Sequence, residues 1–166
     1  MTEPIVRRVA RVIVIDSNDR VLLLAARDPS DSRVIWFAPG GGAEADETLE
    51  QAAARELVEE IGPVAAGLAL LGPIWTRRHV FTWNGMALDQ RETFFAARLE
   101  VALDPATISP EPASEAQYFV GARWATVDEI AGLVARGEII APRRLPELLE
   151  PILAGELPVE PIDTGV

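Results

Sequence analysis

The N-terminal third of the chain is written in β-branched residues. Val6, Val9, Val12, Ile13, Val14 and Ile15 lead to a Ser17-Asn18-Asp19 turn, and Val21 to Ala26 resumes the run, which predicts a strand pair. A polar loop from Asp28 to Arg33 follows, then Trp36 and Phe37 before Pro39-Gly40-Gly41-Gly42. The pattern then changes to helical spacing. Thr48-Leu49-Glu50-Gln51 has the form of a capping box, and Gly62-Pro63 ends the segment with a residue suited to the C-terminus and one that cannot continue the helix. Leu68 to Leu71 and Ile74 to Trp83 read as extended, Asn84-Gly85 as a hairpin turn, and Glu92 to Val101 as its return strand. Residues 104–116, with Pro105, Pro110 and Pro112, read as a loop, and Tyr118 to Trp124 as a further strand. Thr126-Val127-Asp128-Glu129 repeats the capping box before a helix ending near Gly137, and Leu145 to Leu153 forms a short third helix. Strands interspersed with helices and joined partly by hairpins predict an α/β fold, a mixed sheet with helices on its faces. Residues 1–154 read as a single domain, and 155–166, with Pro158 and Pro161, as a C-terminal arm or a disordered segment.

Composition narrows the chemistry. All 15 basic residues are Arg, there is no Lys or Cys, and His79 is the sole histidine. A lysine Schiff base, a thiol nucleophile, a Cys-bound metal and a zinc site with two histidines are all excluded. Carboxylates are plentiful, with 26 Asp and Glu and a formal charge of −11. Such a charge disfavours nucleic acid polymers and anionic membranes as partners. The longest apolar run near the start is Val12 to Ile15, too short for a signal core or a span, so a cytoplasmic location is expected.

The charge is not spread evenly. Residues 41–63 hold seven acids (Glu44, Asp46, Glu47, Glu50, Glu56, Glu59, Glu60) against Arg55 alone, a net of −6. On a helix, Glu56, Glu59 and Glu60 share a face within one turn, while Leu49, Ala52, Ala53, Leu57 and Ile61 gather on another. Each close like-charge pair costs an isolated helix roughly 0.2–0.5 kcal/mol, and the macrodipole disfavours anions near the C-terminus. Acids placed against both rules point to a divalent cation, because hard cations take oxygen ligands.

The spacing is specific. Gly41, five residues, Glu47, seven residues, then Arg55-Glu56-Leu57-Val58-Glu59-Glu60-Ile61-Gly62 resembles the Nudix box at its fixed positions, the one departure being Pro63 where a bulky aliphatic closes the motif. The box covers 23 of 166 residues. Its flanks are similar as well: a preceding strand pair, the Trp36-Phe37-Ala38-Pro39-Gly40-Gly41 lead-in, and a later strand ending in Arg123-Trp124 before a helix.

The resemblance implies a Nudix-type α/β/α sandwich and Mg²⁺-dependent hydrolysis of a pyrophosphate bond in a nucleoside diphosphate linked to another moiety, with Mn²⁺ as a substitute metal. Carried over residue by residue, it makes Glu59 and Glu60 the main metal ligands, Glu56 a ligand or the water-activating base, and the Gly41 carbonyl a further ligand. Arg55 orients the carboxylates by pairing with Glu47 or Glu59, and Glu47 anchors the loop to the helix. A further catalytic carboxylate from outside the box is expected at Glu115 first, then Glu92, then Glu111. Arg77 and His79 share one side of their strand and are candidates for phosphate contact, with Arg78 facing away. Arg27 and Arg91 are weaker candidates of the same kind. Trp36 and Phe37 are candidates for stacking on a base, or alternatively core.

The proline and tyrosine that mark the ADP-ribose and dinucleoside-polyphosphate subfamilies are absent downstream, where Arg77, Arg78, His79, Val80 and Phe81 stand. Elimination therefore favours a nucleoside triphosphate or nucleotide sugar, a nucleotide-type small molecule in either case. An inactive Nudix-like nucleotide-sensing or interaction module is the alternative, and a homodimer is an association that the resemblance allows.

Overall fold

The computed structural model describes residues 2–110 and 117–165. Its elements in chain order are β1 (Ile5–Ile15), β2 (Val21–Arg27), β3 (Val34–Phe37), β4 (Gly40–Gly42), α1 (Leu49–Ile61), β5 (Leu71–Trp83) and β6 (Met86–Arg98). They are followed by β7 (Phe119–Ala125), α2 (Val127–Ala135), β8 (Ile139–Ala141), α3 (Leu145–Leu153) and β9 (Ile162–Asp163). None of the described helices is long and apolar enough to cross a membrane.

β1 explains the layering. From Val9 onward almost every residue is buried, so both of its faces must be covered. Ile13 and Ile15 enter one core with Leu23, Trp75, Phe94, and Ile130 and Leu149 from α2 and α3. Ala10, Val12 and Val14 enter a second with Leu22, Leu24, Phe95 and the α1 residues Ala52, Ala53, Leu57 and Ile61. Successive side chains of a strand point to opposite faces, so one run of apolar residues serves both cores. The result is the α/β/α sandwich, with α1 on one side and α2 and α3 on the other.

The sheet is mixed. Its strands run β8-β3-β2-β1-β6-β5-β9, with β4 beside β1 and β7 beside β2. β1 lies parallel to β6 along its whole length, pairing Ile5 with Leu88 and Ile15 with Arg98, and antiparallel to β4 through Val9–Gly42, Ala10–Gly41 and Arg11–Gly40. The second pairing lays the glycines across β1, opposite its partner β6.

Both capping boxes form. Thr48 Oγ1 accepts from Gln51 N–H at 3.1 Å while Gln51 Oε1 accepts from Thr48 N–H at 2.9 Å, and Thr126 and Glu129 do the same at the start of α2. α1 stops at Gly62, whose φ of 95° is one that L side chains rarely adopt.

Several boundaries differ from the sequence-based expectation. The return strand of the hairpin begins at Met86 and ends at Arg98, earlier on both counts than Glu92 to Val101. Its partner runs unbroken from Leu71 to Trp83, after a short 3₁₀ turn at Pro63–Ala65. Trp36 and Phe37 belong to a strand, and the glycines form one of their own. Ile139–Ala141 pairs in parallel with β3. The arm beyond residue 154 is not wholly irregular: Ile162–Asp163 adds a parallel strand to β5, and Thr164 N–H donates to the Thr76 carbonyl at 2.9 Å. These pieces are two to four residues long, too short to show a periodicity.

Candidate active site

β4 and the inner face of α1 meet closely. A Cβ added at Gly41 would lie 2.4–2.5 Å from the carboxyl atoms of Glu56, and one added at Gly40 would lie 2.0 Å from the Ala10 carbonyl oxygen. Glycine at 41 therefore makes room for a side chain, and glycine at 40 for the backbone of β1. Gly40 N–H donates to Glu60 Oε2 at 2.8 Å, tying strand to helix.

Arg55 organises the acids. Its Nε and Nη2 donate to the two oxygens of Glu47, both at 2.8 Å, and Nη2 also reaches the Gly42 carbonyl at 3.0 Å. Nη1 donates to Glu56 Oε1 at 2.9 Å and to Glu59 Oε2 at 3.2 Å. This forked geometry, together with the Glu44 N–H, holds the Glu47 carboxyl down to about 2, against an ordinary 4.5. Bonding to Glu47 first, and to Glu56 and Glu59 after it, raises Arg55 above the ordinary guanidinium value. Glu56 and Glu60 are buried, whereas the Glu59 side chain is 34% exposed.

Among the described residues, no three carboxylates converge tightly enough to hold a cation as they stand. The donor chemistry nonetheless fits a hard divalent ion: Glu56, Glu59, Glu60 and the backbone of Gly41 offer only oxygen. Glu59 is the carboxylate that can turn toward a cation without opening the core.

A cavity of about 320 Å³ borders this arrangement, lined by Gly41, Glu60, Arg7, Arg11, Trp83 and Tyr118 among others. Trp83 and Tyr118 meet edge to face with ring centroids 5.9 Å apart. A second cavity, about 380 Å³, shares Arg11, Phe37 and Gln90 with the first and continues to Arg77, His79 and Arg143.

The sequence candidates fall in different places. Arg77 and His79 line the larger cavity, with His79 stacked on Phe81 at 4.9 Å. Burial first, then the charges of Arg77 and Arg143, push the imidazole below its ordinary value. Arg78 is on the opposite face, forked onto Asp89 by two 2.9 Å bonds, and Arg91 lies 3.5 Å from the same carboxylate. Phe37 lines both cavities, with the Arg11 guanidinium 5.1 Å from its ring centroid. Trp36 lines neither; its indole N–H donates to Glu138 at 2.9 Å and its ring packs on the α2–α3 core. Arg27 also lines neither, donating instead to the Ser32 carbonyl at 3.1 Å.

Glu92 is locked into an ion network. Its oxygens accept from Arg11 Nε at 3.1 Å, Arg77 Nη1 at 2.8 Å and Gln90 Nε2 at 2.7 Å. Burial opposes its charge, but Arg11 and Arg77 more than offset that and hold the carboxyl below its ordinary value. Three bonds occupy most of the acceptor capacity of this buried carboxylate. Glu115 and Glu111 lie outside the described residues.

Arg7, Arg11, Gln90, Trp83 and Tyr118 had not been singled out from the sequence. For the first two a signal existed. Arg7, Val9 and Arg11 alternate on β1, so both arginines point to the same side as Ile13.

Comparison with known proteins identifies the fold and the family. Curated relatives include an RNA pyrophosphohydrolase of Halorhodospira halophila, 34% identical over 94 residues that make up 52% of this chain and 50% of that protein. A putative 8-oxo-dGTP diphosphatase of Bacillus subtilis is 38% identical over 63 residues, 38% of this chain and 40% of that one. The chain spans about half the length or less of these two relatives. In fold, the MutT protein of Methanosarcina mazei Go1 superposes with a TM-score of 0.60 at 19% identity, over 94% of this chain and 98% of its own. The dihydroneopterin triphosphate pyrophosphohydrolase of E. coli gives 0.61 at 18%, over 91% and 99%. The model of the NUDIX domain matches residues 6–148, which take in β1, the glycines, α1 and α2, and the chain belongs to the NUDIX family.

Proposed function

We propose that this protein is a Mg²⁺-dependent pyrophosphohydrolase acting on a nucleoside diphosphate linked to another moiety. The observation that carries the reading is the shared cavity: Glu60 and Gly41 border the same 320 Å³ space as Arg7 and Arg11. A pyrophosphate chain needs cations around it, and this space offers two guanidinium groups together with Glu60, the member of the acidic set that lines it.

Glu56, Glu59, Glu60 and the Gly41 carbonyl would hold the metal, which when bound neutralises phosphate oxygens and lowers the pKa of water. Arg55 positions Glu56 and Glu59 from behind, and Glu47 fixes Arg55. Arg7 and Arg11 bind the substrate phosphates. Glu56 or Glu115 takes the proton from the attacking water. The names of two relatives, an RNA pyrophosphohydrolase and a putative 8-oxo-dGTP diphosphatase, support testing RNA and nucleoside triphosphates beside nucleotide sugars.

A panel of nucleoside triphosphates, nucleotide sugars and an RNA bearing a 5′ triphosphate, assayed with Mg²⁺ for released phosphate and nucleotide, tests the proposal. Turnover should vanish with chelator and fall by orders of magnitude in Glu59→Gln and Glu60→Gln. Full activity in either variant would remove the metal assignment. Nucleotide binding without turnover on any member would make the protein a sensing module instead.

A further inference from the structure

The larger cavity is lined by three arginines, Arg11, Arg77 and Arg143, against two glutamates, Glu92 and Glu138. Arg77 and Glu92 have buried side chains, 6% and 4% exposed, and Arg11 is part-buried at 14% and also donates to the Ala38 and Gly40 carbonyls, so two guanidinium groups share one carboxylate. At the rim, exposed Arg143 and Glu138 offset each other. Burying a charge without full compensation is costly, and an anionic ligand would offset that cost.

Hydrogen bonding gives the same result independently. Arg77 Nη1 is bonded to Glu92, but its buried Nε–H has no acceptor among the described residues. A buried donor left unmade costs free energy that a ligand oxygen would recover. His79, on the same wall, adds no charge of its own near neutral pH. The remaining lining is largely apolar, with Ile35, Phe37, Phe81 and Ile140. Arg11, Phe37 and Gln90 belong to both cavities, so this chamber adjoins the space that Glu60 lines.

We propose that this chamber is an oxyanion subsite, which holds a phosphate or carboxylate at the end of the substrate remote from the cleaved bond, through Arg77 with Arg11 and Arg143. The proposal rests on the hydrolase reading for the words "substrate" and "cleaved", but not for the binding itself. It selects substrates with a second acidic group, such as a 3′-phosphorylated nucleotide or an acidic nucleotide sugar, over their neutral counterparts.

Two measurements separate this proposal from the hydrolase reading. Since His79 is the sole histidine, its imidazole C2–H signal reports on the chamber without assignment ambiguity. Titrating inorganic phosphate into metal-free protein should shift that signal saturably. The shift should be lost in Arg77→Gln, weakened in Arg143→Ala and retained in Arg78→Ala, whose side chain is on the opposite face. Should Arg77→Gln fail to fold by circular dichroism, Arg143→Ala decides.

The second measurement is kcat/KM with Mg²⁺ for two matched pairs: GTP against its 3′-phosphorylated form, and UDP-glucose against UDP-glucuronic acid. The charged member should lead by about tenfold or more in at least one pair, as expected for one charge-assisted contact, and the pair that discriminates identifies phosphate or carboxylate. Arg143→Ala should narrow the ratio. A saturable shift with no hydrolysis of any compound would leave the subsite standing and overturn the hydrolase reading. Hydrolysis with neither pair discriminated, or no shift of the His79 signal, would overturn the subsite.

Discussion

Two adjacent glycines do different work, and single substitutions separate them. Alanine at 40 would press on the Ala10 carbonyl, which is backbone and cannot give, at a φ of 143° that disfavours a side chain. Gly40→Ala should therefore unpair β4 from β1 and show as a clear drop in denaturation midpoint. Alanine at 41 would press on the tip of Glu56, a flexible side chain. Gly41→Ala should keep most of its stability and lose activity, read as turnover against midpoint in the same preparation. Glu47 adds a pH dependence. Its carboxyl is held to about 2 in the folded protein against 4.5 ordinarily, so its stabilising contribution is fully present above 4.5 and is lost as pH falls toward 2. Urea denaturation of Glu47→Gln beside the parent should show a gap at neutral pH that closes over that window. A gap that stays constant into acid would remove the Arg55–Glu47 pairing as its cause.

At the scale of the elements, α1 is held by its apolar stripe and its cap more than by its charges. Leu57 is 1% exposed in the core beneath α1, so Leu57→Ala should cost about 2–5 kcal/mol in chemical denaturation, as deletion from a packed core does. Thr48→Ala removes one half of the capping box and should cost about 1 kcal/mol. α1 was also the most legible element. Its cap, stripe, acidic face and stop signal lie within one stretch of sequence, and each works through neighbours at most four residues away. The strands were less legible in proportion to how far their partners lie along the chain. Arg11 meets Glu92 across 81 residues, and nothing local to either predicts that meeting. Ile139–Ala141 and Ile162–Asp163 are strands only because β3 and β5 offer them an edge. Parity along β1 was nevertheless readable, and with the register against β4 it would have placed Arg11 opposite Gly40.

For the molecule as a whole, the −11 charge and the sandwich have to be considered together. Net self-repulsion destabilises a compact state, and here the −6 of residues 41–63 concentrates it where α1 packs on β4 and β1. The fold brings those carboxylates to one place, whereas the unfolded chain disperses them, so a divalent cation should bind the folded state preferentially and stabilise it. By linkage, Mg²⁺ at ten times its dissociation constant adds about 1.4 kcal/mol, and for a chain of this size each kcal/mol raises Tm by about 2–4 °C. Thermal scans in rising MgCl₂, against NaCl matched for ionic strength, should therefore separate a saturable rise from the general screening that any salt provides. The saturable part should disappear in Glu59→Gln and Glu60→Gln and persist in Arg78→Ala, which leaves the acidic segment intact. Equal rises in MgCl₂ and matched NaCl would mean that the acids of α1 are solvated surface, and the charge concentration would lose its meaning as a cation site.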